Sequence, residues 1–263
     1  NKNRFFFNNL TFSDLDKIVL KNEKIKTIIF DLGYSYVQIK DLNRGLSFNS
    51  DGPLDMRMGL NTFSASEVIN NLDQKDLEII FRTFGEEKDS KRIAKKIILE
   101  RKKEKIHTKK LVQIINSSKK INNKKIHNAT KVFQALRIFV NKEISELIKA
   151  LIKSVKLLDK NGLLVLVSFH SLEDKIIKNF FKLLSESKRV SRYVPENKHK
   201  LNTLQIINKK PILASEQELK KNKQSRSAKL RYAIKINEPE NFESEVYEKF
   251  EHLINIENLS EKL

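Results

Sequence analysis

Two hydrophobic rhythms alternate along the chain. From Ser64 to about Asn116 the spacing is helical: Val68, Ile69 and Leu72 share one face, as do Leu77, Ile80, Phe81 and Phe84, then Ile93, Ile97 and Ile98. A long helix is predicted from Ala129 to about Leu158, through Val132, Phe133, Leu136, Val140, Ile144, Leu147, Ile148 and Leu151. Between these, short apolar runs read as strands. Arg4-Phe5-Phe6-Phe7 reads as a buried strand, and Ser13 with Asp14, Leu15, Ile18 and Val19 as a capped helix. Ile25 to Asp31 is a β-branched strand closed by Asp31-Leu32-Gly33, so strand, helix, strand predicts a parallel βαβ unit. Leu163 to Ser168 is a second buried strand, followed by Phe169-His170 and a helix with Ser171 as N-cap and Asp174 at N3. Leu204–Ile207 and Leu230–Ile236 are the last strands, and Phe242, Tyr247, Phe250 and Leu253 mark a terminal helix.

The remainder reads as loop. Residues 40–62 hold Gly45, Gly52, Pro53 and Gly59; residues 117–128 are polar and basic; residues 188–200 form a basic, flexible surface segment. The expected fold class is α/β, with one discontinuous domain from 1–62 and 129–237, an all-helical insertion from 63–128 and an acidic tail from 238–263.

Charge sharpens this division. The 263 residues carry a net charge of +19. Residues 88–131 hold +13 and residues 175–237 another +13, while 1–87 sum to −2 and 238–263 to −6. Two basic blocks around a near-neutral stretch fit a polyanionic partner, most simply nucleic acid, although solvated lysine-rich helix faces produce the same count. No run reaches the ~18–20 apolar residues of a membrane span, and no apolar leader opens the chain. With no cysteine, disulfides, thiolate metal sites and a cysteine nucleophile are excluded. A cytoplasmic location is expected. The five histidines show no close metal spacing, so no metal is expected.

Two places carry candidate chemistry. Asp31 closes a strand where ligands of open α/β sheets bind, and Gly33, Ser35 and Gln38 follow. That run is either a small-molecule pocket or a capped tight turn. His170, just past a buried strand, is either catalytic or bonded to neighbouring backbone.

Longer blocks then become specific. Asp31-Leu32-Gly33-Tyr34-Ser35 with Gln38, Arg44-Gly45-Leu46-Ser47-Phe48, and Asp51-Gly52-Pro53-Leu54-Asp55-Met56-Arg57-Met58 closely resemble the bacterial small-subunit (16S) ribosomal RNA cytidine N4-methyltransferase family. Ala129 to Ile138, Ser168 to Asp174, Ser225 to Arg231 and the shorter Phe84-Gly85-Glu86-Glu87 match in the same order, from about Phe5 to Lys235.

The resemblance implies a Rossmann-like class I methyltransferase sheet with an inserted helical, RNA-substrate subdomain. It implies S-adenosyl-L-methionine as cofactor and 16S rRNA or the small ribosomal subunit as partner. The family's cofactor contacts carry over to Phe12, Asp31 and Gln38. The family's Gly-x-Gly-Gly-His-Ser loop and second-strand acid have no counterpart among these residues. The resemblance therefore implies a chain beginning at the family's third strand, lacking the first strands, with weakened cofactor binding and exposed strand edges. Tyr36 and Val37 stand where the family has Ser-Pro.

For methylation of an exocyclic amine, Asp31 and Ser35 are the expected catalytic residues, with His170 and Asp55 in base or orienting roles. Arg57, Arg137, Arg226, Lys229 and Arg231 are the expected RNA contacts, Arg137 being the one that its apolar helix marks as structural instead. The rival reading is a non-catalytic RNA-binding protein on a degenerate methyltransferase scaffold.

Overall fold

A computed structural model describes residues 5–18, 25–33, 41, 44–48, 52–59, 62–119, 126–186 and 201–263. The chain forms two compact units, Asn1–Gly33 with Glu146–Phe250, and Tyr34–Ser145 with Glu251–Leu263.

The first unit holds the sheet, and its architecture is the expected α/β class. Strand β1 (Ile25–Asp31) pairs in parallel with β2 (Leu158–Ser168), and β2 pairs antiparallel with β5 (Lys229–Lys235). β3 (Leu204–Ile206) and β4 (Ile212–Leu213) pair antiparallel with different parts of β5. The order is β1-β2-β5-β3. Along β2 the side chains alternate by the two-residue period of a strand, with Leu164, Leu166 and Ser168 fully buried. Each such leucine contributes ~1.5–3 kcal/mol on burial. Ile176, Ile177, Phe180 and Phe181 bury one face of the helix Ser171–Ser185, and Phe242 and Val246 bury the start of the terminal helix.

The second unit is helical. In chain order its first helices are α1 (Ala65–Asn71), α2 (Gln74–Phe84), α3 (Ser90–Glu100), α4 (Thr108–Ser118) and α5 (Thr130–Asn141). Ser64 and Glu67 close α1 with a reciprocal capping box. Leu77, Ile80, Phe81 and Phe84 of α2, Ile93 and Ile97 of α3, Leu111 and Ile115 of α4, and Leu136 and Phe139 of α5 are fully buried, as the periodicity predicts. The chain's later helices are α6 (Glu143–Leu157), α7 (Ser171–Ser185) and α8 (Glu216–Lys221), the last two within the first unit, and α9 (Glu243–Glu257).

Four local expectations are corrected. Phe5, Phe6 and Phe7 are not a buried strand: all three are almost fully exposed and pair with nothing in the described sheet. Three successive rings cannot share one face of a strand, whose side chains alternate. The helix at Ser13 is a 3-10 turn, Phe12–Lys17, without a side-chain cap. It is held instead by Lys153, which donates to the Ser13 carbonyl and, at 2.7 Å, to Asp16.

The long helix is two helices. Lys142 takes a left-handed φ of 49° between α5 and α6. The new N-terminus is satisfied by Glu257, whose carboxylate accepts from the amides of Ile144 and Ser145 at 2.9 Å each and from the Ser145 hydroxyl. Finally, α7 is capped by His170 rather than Ser171, with Glu173 at N3 rather than Asp174. This one-residue shift frees Asp174 for Arg231. Residues 188–200 lie outside the described residues.

Candidate active-site edge and nucleic-acid contacts

In the first unit, parallel pairing brings distant blocks to one sheet edge. Asp31 is paired with Val167, and the Leu32 amide donates to the Val167 carbonyl at 3.0 Å. Ser168 faces Lys229 on β5, and its hydroxyl donates to the Lys229 carbonyl at 3.3 Å. The ends Asp31-Leu32-Gly33, Ser168-Phe169-His170 and Ser225 to Lys229 therefore meet at the carboxyl end of β2. Ligands of α/β sheets bind at that end. Leu32 is buried and Asp31 exposed. Gly33 has φ of 100°, and a side chain there would sit 3.4 Å from the Phe169 ring. Phe12 packs edge-on against Phe30 at 5.5 Å and keeps 42 % of its surface open. Ser35 and Gln38 lie outside the described residues.

His170 is committed to structure. Its Nδ1 accepts from the Glu173 amide at 3.4 Å, and Nε2 lies 3.2 Å from the Glu173 carboxylate without a hydrogen bond between them. Glu173 in turn accepts from the Phe169 amide at 2.9 Å. Through Nδ1, His170 caps α7 and sets the turn after β2.

The basic residues divide by burial. Arg226 is exposed on the 3-10 turn Lys223–Ser227. Arg231 is buried, with Nε 2.7 Å from Asp174 and a 3.0 Å bond to the Lys209 carbonyl. Lys229 is partly exposed, 3.4 Å from the same carboxylate. Burial alone would raise the Asp174 carboxyl, but Arg231 and Lys229 together hold it below the usual range. A groove of about 710 Å³ beside this pair is lined by Lys178, Phe181, Lys182, Asn202, Lys209 and Arg231 among others. Phe12 and Asp31 do not line it.

In the second unit, Arg44-Gly45 locks onto Gly52 to Arg57. The Met56 amide donates to the Arg44 carbonyl at 2.7 Å. Gly45 has φ of 61°, and a Cβ there would fall 1.8 Å from the Pro53 carbonyl oxygen, so only glycine fits. Arg57 forks onto Asp55 at 2.6 and 2.8 Å, and this bond holds the Asp55 carboxyl below its ordinary range. An ionised, doubly bonded carboxylate is a poor base, so Asp55 orients Arg57. Asn141 clamps the loop by accepting from the Met58 amide at 2.8 Å and donating to the Met56 carbonyl at 2.9 Å. Arg137 is buried and forks onto Glu143 at 2.7 and 2.9 Å, so of the two roles expected it holds the structural one.

Asn141, Glu143 and Glu257 hold these elements and escaped the sequence reading. The partners that tie them to other elements lie up to 113 residues away along the chain, and no local pattern marks them.

Comparison with known proteins agrees with these blocks. The protein is 44 % identical over 228 residues to the ribosomal RNA small subunit methyltransferase H of Bartonella bacilliformis, covering 85 % of this chain and 68 % of that protein. It is 43 % identical over 237 residues to the protein of the same name in Rickettsia prowazekii, covering 89 % and 77 %. For that of Orientia tsutsugamushi the figures are 42 % over 244 residues, 90 % and 78 %. The sequence model of the MraW methylase family matches residues 1–236. With the match spanning the sheet, the helical unit up to Ser145 and every block at the β2 edge, the chain belongs to the MraW methylase family.

Proposed function

We propose that this protein transfers a methyl group from S-adenosyl-L-methionine to the N4 amine of a cytidine in 16S ribosomal RNA, within the small-subunit rRNA methyltransferase activity named for its relatives. The observation that carries the reading is the meeting of Asp31-Leu32-Gly33 with Ser168-Phe169-His170 at one strand end. Supporting it are the family membership and the two +13 basic blocks.

The residues present fit part of the cofactor's chemistry; the family's glycine-rich loop and second-strand acid have no counterpart among them. Phe12 offers a half-open aromatic surface, Asp31 an exposed carboxylate acceptor, and Gly33 a left-handed turn without a side chain of its own, packed on the Phe169 ring. Phe12, Asp31 and Gln38 are the residues that would hold it. When bound, the cofactor supplies an electrophilic methyl on sulfur. Methylation replaces one N–H of the amine by N–CH₃ and releases a proton. Because the amine lone pair is delocalised into the ring, orientation is the larger task. Asp31 and the Ser35 hydroxyl are the proposed acceptors that orient the N–H. His170 and Asp55 act as positioning residues, through the α7 cap and through Arg57.

The target base must leave its stack to reach a strand-end pocket. Arg226, Lys229 and Arg57 are the proposed phosphate contacts. Residues 63–128 are proposed as the RNA-substrate subdomain, and the site of action as the cytoplasm. Calorimetry with the cofactor tests the site. Asp31→Ala should weaken binding at least tenfold without altering RNA affinity; unchanged cofactor affinity would remove Asp31 from the site.

A further inference from the structure

His127 and Phe48 form a pile of rings in the second unit that the methyl-transfer reading does not use. Their ring centroids lie 4.2 Å apart and the planes are 4° from parallel. Behind them, Phe133 meets Phe48 edge-on at 5.7 Å and 89°. Phe133 is buried in the helical core, Phe48 is half-buried and His127 is exposed. The pile therefore runs from the core to solvent and ends on a flat imidazole.

That imidazole is fixed in two ways. The Phe48 ring sets its plane, and its Nδ1 accepts from the Ala129 amide at 3.2 Å, which sets its rotation. With Nδ1 an acceptor, Nε2 is the ring's donor. One face of His127 is occupied by Phe48. The other belongs to an exposed ring whose plane and rotation the stack and the hydrogen bond set before anything binds, which lowers the ordering cost. It stands within the 88–131 block, which carries +13.

We infer that the outer face of His127, backed by Phe48, is a stacking platform for an unpaired nucleobase of the RNA substrate. RNA-binding proteins recognise splayed-out bases by stacking on Phe, Tyr, Trp and His rings. A cationic surround draws the phosphates, and the ring takes the base. The inference rests on the RNA reading above and adds a contact separate from the methyl-transfer edge.

The test uses the 263-residue protein and a short single-stranded RNA whose adenines are replaced by 2-aminopurine. Its fluorescence falls when the base stacks. The wild type should bind and quench. His127→Ala should weaken binding about 5- to 150-fold, the range of base–aromatic stacking by alanine substitution, and recover fluorescence. His127→Gln keeps an acceptor for the Ala129 amide but no ring, and should lose as much. His127→Phe should retain most of the quenching. The slope of affinity against salt should be the same in all, because no phosphate contact is removed. If folded His127→Ala or His127→Gln binds and quenches like the wild type while Arg226→Ala binds more weakly, the platform is wrong and the RNA reading stands. If the wild type binds no RNA, both are overturned.

Discussion

The Leu32 amide donates to the Val167 carbonyl across 3.0 Å. This bond continues the β1–β2 ladder one residue past Asp31 and draws Gly33 against Phe169. Blocks 136 residues apart in sequence thereby become neighbours. A parallel ladder fixes which ends meet, so the carboxyl edge is assembled by register rather than by loop folding.

Arg226 and Arg231 lie five positions apart in one family block, yet the structure predicts opposite outcomes. Arg226→Ala removes an exposed charge. It should leave the melting temperature unchanged and reduce the slope of RNA affinity against salt by about one. Arg231→Ala leaves the half-buried Asp174 carboxylate with Lys229 as its remaining ion-pair partner and removes the buried guanidinium's packing. It should destabilise the fold by roughly 3–5 kcal/mol in urea denaturation. Equal stabilities for the two variants would contradict this division.

The Arg137–Glu143 fork predicts a structural phenotype. Arg137→Ala should lower unfolding free energy by about 3–5 kcal/mol, because Glu143 loses its partner where α5 turns into α6. The salt dependence of RNA binding should be unaffected. A changed salt slope with normal stability would place Arg137 on the RNA.

Glu257 predicts a pH dependence. Burial pushes its carboxyl up to about 7, against the opposing pull of three hydrogen bonds from Ile144 and Ser145. With a folded pKa above the unfolded value near 4.5, the folded state holds the proton more tightly. Stability from this group is therefore greatest below about 4.5 and falls as pH rises towards about 7. Glu257→Gln cannot ionise and should lack that decline. The check is the difference in melting temperature between wild type and Glu257→Gln from pH 4.5 to 7.5; a constant difference would refute it.

Gly45→Ala should be among the costliest small substitutions. It forces a left-handed φ on alanine and drives Cβ into the Pro53 carbonyl. Roughly 2–4 kcal/mol should be lost in chemical denaturation, from strain plus displacement of the Asp55–Arg57 loop. Gly59→Ala, with open space around it, is the control and should change little.

Helical periodicity revealed the core face of α1, α2 and α3, because their buried residues recur every three to four positions. β1, β2 and β5 were legible as apolar runs. The break at Lys142 was not, since the apolar pattern runs straight across it and the cap on α6 comes from Glu257, over a hundred residues away. The cap of α7 was misplaced by one residue. Ser171 has the better N-cap propensity, yet Glu173 reaches back to the Phe169 amide and puts His170 in that place. Asp31, Gly33 and His170 of the candidate edge were legible from their places at strand ends, and the long motif blocks made the reading specific. Their meeting depends on parallel pairing, which leaves no local trace. The Phe48–His127 stack joins two loops 79 positions apart, and neither residue alone marks it.

The measurement closest to the central claim is methyl transfer itself. The protein, expressed from its complete reading frame, is incubated with methyl-labelled S-adenosyl-L-methionine and small ribosomal subunits or their rRNA from cells lacking it, and the RNA is digested to nucleosides for mass spectrometry. The account predicts label in N4-methylcytidine, abolished by Asp31→Ala with RNA binding retained. RNA binding without label in any nucleoside would contradict it, and would favour a non-catalytic RNA-binding protein on a methyltransferase scaffold.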